Sequence, residues 1–280
     1  MSWETIGYRP APRLETFLRD HEPSTTGLSD HYRRSSLDPR GRRGGRFLHL
    51  PDRAVLYQGP SGLFMPFAMD AVGPDLRERS QLKKRIGLFP RIRTVMGTEH
   101  DVQALDALLS PQVRDTVAYD LLYLPHHSFP SLLPPPLPEL RIATPQPREW
   151  RALLQVQIAY EMEEVLLPGR TPVPAHSKAH LLDSLSNHLV LVALHRDQII
   201  ARVATNARGL RTDQIGGVFT LPEWRGRGVA RWLMSHLLQR IGREKRDASL
   251  FVKQTNRTAQ KLYRGMGFTF VSLYRISYYL

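Results

Sequence analysis

Residues 217–234, Gly217-Val-Phe-Thr-Leu-Pro-Glu-Trp-Arg-Gly-Arg-Gly-Val-Ala-Arg-Trp-Leu-Met234, read as a strand, a proline stop, a glycine turn and the start of an amphipathic helix. Val218, Phe219 and Thr220 carry strand-favouring side chains, and Pro222, which cannot donate to a ladder, ends the strand. Gly226 and Gly228 lack the Cβ that would hold a backbone away from a ligand. A helix is predicted from about Gly228, with Val229, Leu233, Leu237, Ile241 and the adjacent Trp232 on its buried face. Its N-terminus offers unpaired N–H groups and roughly half a positive charge, and Arg225, Arg227 and Arg231 add formal charge around it. That combination suits a diphosphate. A basic surface loop before an ordinary helix is the plainer reading of the same residues. A Walker loop is excluded because no Lys-Ser or Lys-Thr follows the glycines, and a dinucleotide fingerprint because its three spaced glycines are not present.

The run resembles the acyl-CoA-binding motif of the GNAT (Gcn5-related) N-acetyltransferases, in which Arg or Gln is followed after two residues by Gly and, one residue later, by Gly or Ala. Arg225, Gly228 and Ala230 meet it. Residues 249–268 then resemble the strand that follows in that family, its Asn256, and a helix carrying Ala259, Leu262 and Tyr263 that closes on Gly267-Phe268. The resemblance implies a GNAT fold and acetyl transfer from acetyl-CoA, as co-substrate, to a primary amine by direct attack. It implies that the pantetheine arm lies along Val218, Phe219 and Thr220 like an added strand, with a backbone N–H near Thr220 facing the oxygen that gains charge. The diphosphate is then expected on Arg225, Gly226, Arg227, Gly228, Val229, Ala230 and Arg231, with Asn256, Ala259 and Tyr263 completing the cofactor contacts. Each N–H bond to phosphate contributes about 1.5–3 kcal/mol. Tyr263 takes the role of the family's tyrosine, the general acid toward the departing thiolate; Asn256 is also expected to cap its helix.

The general base is harder to place. Relatives set a Glu on the strand before the phosphate loop, where this chain has Asp213 and Gln214 followed by Ile-Gly-Gly-Val. Glu161, Glu163 and Glu164 end the first helix of the domain, a region that borders the acceptor in GNAT folds. Glu163 and Glu164 are the candidates for the base, against the plainer reading of all three as a solvated helix terminus. A lysine amine costs about 4.6 kcal/mol to deprotonate at pH 7, an α-amine about 1 kcal/mol. Without a strong base, a low-pKa amine is the easier acceptor.

At 280 residues and 41% hydrophobic, the chain has material for a substantial core and two domains. It has no cysteine, which excludes disulfides, thiolate metal sites and an acyl-cysteine intermediate. No metal is expected, since His126-His127 and the other histidines lack ligand spacing. No apolar run reaches membrane-spanning length and the first residues lack a signal pattern, so a cytoplasmic protein is expected. The net charge of +13 raises nucleic acid as a partner. The excess is uneven, however: +3 through residue 138 and +10 from 139 onward. Arg257, Lys261 and Arg264, together with the loop arginines, are accounted for by the phosphates of coenzyme A.

Closely spaced prolines mark 129–138 as a linker. Residues 139–280 are read as the GNAT domain, an α/β (α+β) unit with one mixed, mostly antiparallel sheet flanked by helices. Its order is a strand at 139–146, helices at 148–166 and 176–186, strands at 188–195, 198–206 and 214–221, then helix, strand, short helix and a last hairpin over 268–280. Residues 1–128 read as a smaller α/β domain, with paired strands at 54–57 and 62–67, helices near 10–20 and 74–86, and a strand at 92–96 before a helix at 99–109. The layout resembles FR47-like and glycine-acyltransferase-like two-part proteins, whose first half is a GNAT unit without a cofactor site. That half is expected to shape acceptor access or a homodimer surface. The Arg- and Gly-rich stretch 31–46 reads as a solvated loop, its alternative being contact with nucleic acid or an acidic partner. Against the enzyme, a CoA-binding regulatory module or pseudoenzyme remains the second reading.

Overall fold

A computed structural model describes residues 2–7, 10–36, 45–72, 75–87, 91–109 and 112–279. The chain order is β1 (Glu4–Ile6), α1 (Pro12–Asp20), α2 (Thr26–Ser36), β2 (Arg46–Leu50), β3 (Ala54–Gln58), β4 (Leu63–Phe67), α3 (Leu76–Ile86), β5 (Thr94–Thr98), α4 (Glu99–Leu109) and β6 (Val113–Leu124). There follow β7 (Leu140–Ala143), α5 (Trp150–Tyr160), α6 (Pro174–Asn187), β8 (Val190–His195), β9 (Gln198–Arg208), β10 (Thr212–Thr220), α7 (Val229–Arg243), β11 (Asp247–Lys253), α8 (Arg257–Arg264) and β12 (Thr269–Tyr279). The two halves repeat one order, strand, two helices, three strands, helix, strand, helix, strand.

The twelve strands of the described residues form one sheet, in the order β1-β2-β3-β4-β5-β12-β6-β11-β10-β9-β8-β7. Only β4 with β5 and β10 with β11 pair parallel; the other pairs are antiparallel. The last strands of the halves are exchanged. β6 lies against β11 through Ala248↔Leu124 to Lys253↔Tyr119, and β12 lies between β6 and β5, with Ile276 opposite both Val117 and Met96. The expected hairpin over 268–280 is therefore corrected to a single strand. No Gly, Pro, Asn or Asp interrupts Thr269–Tyr279 to make a turn, and its pairing with β6 shifts register between Phe270 and Ser272 and again between Tyr278 and Tyr279.

The expected solvated loop at 31–46 is also revised. Residues 31–36 end α2, residue 46 opens β2, and 37–44 lie outside the described residues. Tyr32 is buried and its hydroxyl accepts from the Ala11 N–H at 3.0 Å, which ties α2 to α1. The proline-rich segment 129–138 runs over α7, where the Leu133 N–H meets Ser235 Oγ at 3.3 Å and Gln239 Nε2 donates to the Pro130 carbonyl at 3.0 Å. The first half also grips the second: the Glu22 carboxylate accepts from the backbone N–H groups of Leu210, Arg211 and Thr212 at 2.7–2.8 Å.

The helical face expected on α7 is the buried one. Val229, Trp232, Leu233, Leu237 and Ile241 join Leu191, Ile200, Leu250 and Tyr263 in the largest apolar cluster. A separate cluster of Trp3, Leu48, Leu56, Phe64 and Val102 fills one face of the first half.

Candidate active site

β10 opens the site. It pairs with β11 only from Thr212 to Ile215, and its register with β9 shifts between Gly216 and Phe219. Two glycines make the irregularity. Gly217 has φ 59°, and a Cβ on Gly216 would lie 1.8 Å from Asn206 Nδ2. Beyond them β10 and β11 part, and Val218, Phe219 and Thr220 line the resulting groove.

At the end of β10 a short 3-10 turn, Pro222–Trp224, leads into Arg225 and the glycines. Gly226 and Gly228 have φ 74° and 80°, a region costly for residues with a Cβ. Gly228 caps α7 without any side-chain hydrogen bond, which leaves the first amides of the helix to a ligand. A Cβ on Gly226 would meet nothing within 4 Å. The groove beside this turn holds about 470 Å³. It is lined by every residue expected on the arm and the diphosphate except Arg227, whose guanidinium stacks over Trp224 at 5.3 Å, while Arg264 is instead 3.7 Å from Asp120. The groove continues into a basic furrow of about 780 Å³ bordered by Arg231, Arg257 and Lys261. Arg225 is already engaged: Nε donates to the Thr220 carbonyl at 3.0 Å and Nη2 meets Glu163 at 2.7 Å.

Asn256 caps α8 as expected, its Oδ1 accepting from the Ala259 N–H at 3.0 Å. Its Nδ2 donates to Glu164 Oε1 at 3.1 Å. Tyr263, on the inner face of α8, is buried, and its pKa is pushed well above the usual phenol range by burial and then by Glu164 and Tyr160. At this point the groove meets a second cavity of about 250 Å³, shared through Glu164, Val218, Asn256, Ala259 and Tyr263. Both halves wall this second cavity. Met96 of β5, Tyr119 of β6 and Ile276 and Tyr278 of β12 face Tyr160, Asn206, Gln214, Phe251 and Lys253.

The carboxylates divide by position. Asp213 is fully buried between Arg208 at 3.2 Å and Arg246 at 2.7 Å, so it is unable to reach an acceptor, whereas its neighbour Gln214 faces the cavity. Glu161, read as part of a solvated helix terminus, is instead buried: it accepts from Gln157 Nε2 at 2.7 Å, from Ser177 Oγ, and lies 3.3 Å from His180 Nδ1. The reason is a π-helical turn over Glu161–Val165 that winds Glu161 inward. Glu163 and Glu164 leave the same turn toward the groove. Only Glu164 reaches the second cavity, with Lys253 Nζ at 3.6 Å.

The aromatic wall of the second cavity lay beyond sequence reasoning. Gly216-Gly217 signals the bulge; nothing in the local pattern points to Tyr119, Tyr160 or Tyr278. Among the described residues no cluster of three or more His, Asp or Glu side chains is gathered to hold a metal, and no helix is long and apolar enough to cross a membrane.

Comparison with known proteins agrees with this geometry. Residues 186–270 match the family model for the acetyltransferase (GNAT) domain. No curated protein matches the sequence. Among solved structures, a Drosophila protein is 15% identical with a TM-score of 0.66, the match covering 96% of this chain and 97% of that one. A tandem GNAT protein from the clavulanic acid biosynthesis pathway is 12% identical with a TM-score of 0.59, covering 98% and 97%. A GNAT-family acetyltransferase from Colwellia psychrerythraea is 10% identical with a TM-score of 0.57, covering 99% and 100%. At such identities these structures establish the fold alone. Residues 186–270 thus match the acetyltransferase (GNAT) domain, within a chain whose whole length follows the fold seen in a tandem GNAT protein.

Proposed function

We propose that the chain is an acetyl-CoA-dependent N-acetyltransferase that acts on a small amine. The observation that carries this reading is the uncapped N-terminus of α7, reached through two positive-φ glycines and opening on a groove that meets an acceptor-sized cavity at Tyr263. Acetyl-CoA supplies an activated thioester when bound. Amides from Gly226 to Arg231 hold its diphosphate, Arg231, Arg257 and Lys261 stand ready for the remaining phosphate, and Val218–Thr220 align the arm.

Glu164 is the residue we assign to receive the amine proton, because it alone among the carboxylates lines both cavities. Tyr263 faces the departing sulfur. Its raised pKa keeps the phenol protonated, and since a thiol titrates near 8.5, donation of a hydrogen bond is favoured over full proton transfer. Lys253 and Glu164 leave the second cavity without net charge, and this supports a compact, uncharged or zwitterionic acceptor over a polycation.

We propose further that the first half is a GNAT unit without a cofactor seat, formed by residues 1–128 and separated by 129–138 from a catalytic part at 139–280. Its counterpart of α7 is α3, whose N-terminus is filled by Asp75: that carboxylate accepts from the N–H groups of Arg77 and Glu78 at 2.8 and 3.3 Å. The burial of Asp213 favours a second reading, a CoA-binding module without transfer activity. Calorimetric titration of acetyl-CoA tests the binding, and thiol release in the presence of a panel of amines tests the transfer. The absence of cysteine from the chain gives the thiol assay no protein background. Failure to bind acetyl-CoA would overturn both readings; binding without thiol release from any amine would select the second.

A further inference from the structure

Tyr160 and Arg202 have no part in the scheme above. Arg202, on β9, is 4% exposed, yet its Nε and Nη1 have no hydrogen-bond partner. An arginine so placed is costly, and its burial lowers its pKa, while Tyr160 and Glu161 act to keep it charged. Two contacts define where it sits. Its guanidinium lies over the Tyr160 ring, 5.6 Å from the centroid. It also fills the space beneath the bulge, where a Cβ on Gly217 would come within 3.1 Å of Nη2. Tyr160 is the last residue of α5 before the π-helical turn, and it lines the second cavity beside Gly216, Gly217 and Val218. Burial raises its pKa, with Arg202 and then the Gly217 backbone opposing, so its hydroxyl stays protonated.

We infer that Tyr160 is a further catalytic residue, whose hydroxyl donates a hydrogen bond to the thioester carbonyl oxygen at the Gly217 bulge, and that Arg202 is the residue that positions it. The inference rests on the acetyl-CoA reading. As the amine nitrogen bonds to the carbonyl carbon, an electron pair moves onto that oxygen; it returns as the carbon–sulfur bond breaks and the thiolate leaves. The amine proton goes to Glu164, and the Tyr160 proton is shared without being transferred. A donor held ready where charge develops is the arrangement that accelerates acyl transfer most. Here the holding is done from behind by a buried cation, and a side chain at 217 would crowd the guanidinium while occupying a backbone conformation, φ 59°, that favours glycine.

The test needs no acceptor. Acetyl-CoA labelled with carbon-13 at the thioester carbonyl is bound to the wild-type chain and its carbonyl stretch is read by difference infrared spectroscopy. The expected result is a shift to lower frequency that is largely lost in Tyr160→Phe, retained in Tyr263→Phe and diminished in Arg202→Met, each read at saturating acetyl-CoA. Replacement of Tyr160 by 3,5-difluorotyrosine, a stronger donor of the same shape, is expected to enlarge the shift and serves if the phenylalanine variant does not fold. A wild-type shift retained in Tyr160→Phe, or unaltered by the fluorinated residue, overturns the inference while the acetyl-CoA reading stands. No binding of acetyl-CoA to the wild type would instead overturn that reading.

Discussion

Glu163 and Glu164 are consecutive in the chain, but Glu163 holds Arg225 at 2.7 Å over the groove beside α7 while Glu164 accepts from Asn256 at 3.1 Å where that groove meets the second cavity. The π-helical turn places both side chains on the groove and gives them different partners. For Glu164→Gln, with any amine found to be acetylated, kcat is expected to fall at least tenfold, within the range of a lost general base, with the KM for acetyl-CoA little changed. Glu163→Gln removes an exposed ion pair contributing less than about 1 kcal/mol, so its stability is expected to stay near wild type. Steady-state kinetics on both variants, with thermal melts, checks the division. Equal losses of kcat in the two would remove Glu164 from its assigned role.

Gly228 and Gly217 are expected to fail in different ways. Gly228 has φ 80°, and alanine there incurs about 1–2 kcal/mol of backbone strain at the diphosphate turn. Gly228→Ala should therefore weaken acetyl-CoA binding about tenfold or more in a calorimetric titration. Gly217→Ala adds a close contact with Arg202 to a positive φ, so it should also lower the melting temperature by several degrees, about 2–4 °C per kcal/mol for a chain of this size.

The strand exchange predicts that the halves do not fold apart. A fragment of residues 129–280 lacks β6, which lies between β11 and β12 in the intact sheet. β11 would lose one neighbour and β12 both, leaving three strand edges unpaired, an open template for aggregation. Purified alone, the fragment is expected to show no cooperative melt by circular dichroism, and co-expression with residues 1–128 should restore one. A cooperatively folding 129–280 fragment would contradict the exchange.

Acid should unfold the protein early, through histidines of the first half and of the interface between the halves. His31 stacks on Tyr57 with ring centroids 4.2 Å apart, and burial lowers its pKa to about 4. His188 is lowered too, by burial and then by Arg34, whose Nη2 lies 2.6 Å from its Nε2. In the unfolded chain both take up a proton near 6.5. Their depressed folded values leave stability at its full value above pH 6.5, and it declines as the pH falls toward about 4 for His31. Urea titrations at pH 7, 5.5 and 4.5 should show this decline, and it should be shallower in His31→Phe, which keeps a stacking ring without the titration.

Much of the second half was legible from local pattern. α5 to α8 and β7 to β11 fall where apolar spacing, the prolines and the glycines put them, because helix and turn signals lie within a few residues of one another. β6 and the end of β12 were not legible. Val113–Leu124 is a strand whose partners are β11 and β12, more than a hundred residues later in the chain, and no short-range feature of the sequence records them. Likewise the side on which Asp213 and Gln214 fall depends on strand register. Adjacent residues point to opposite faces, and only the pairing with β9 and β11 decides that Asp213 is sealed between arginines and Gln214 is left facing the cavity.

The sequence by itself determined the turn that we propose seats the cofactor: Gly226, Gly228, the start of α7 and the Asn256 cap are properties of short backbone segments, and their residues can be read in place. Tertiary structure alone decided the second cavity, the proposed acceptor side. Tyr119 and Tyr278 reach the second cavity because the two halves exchange strands, and Tyr160 reaches it because a buried arginine lies behind a glycine bulge. Such placements arise from contacts between distant segments, which packing selects and local propensity does not encode.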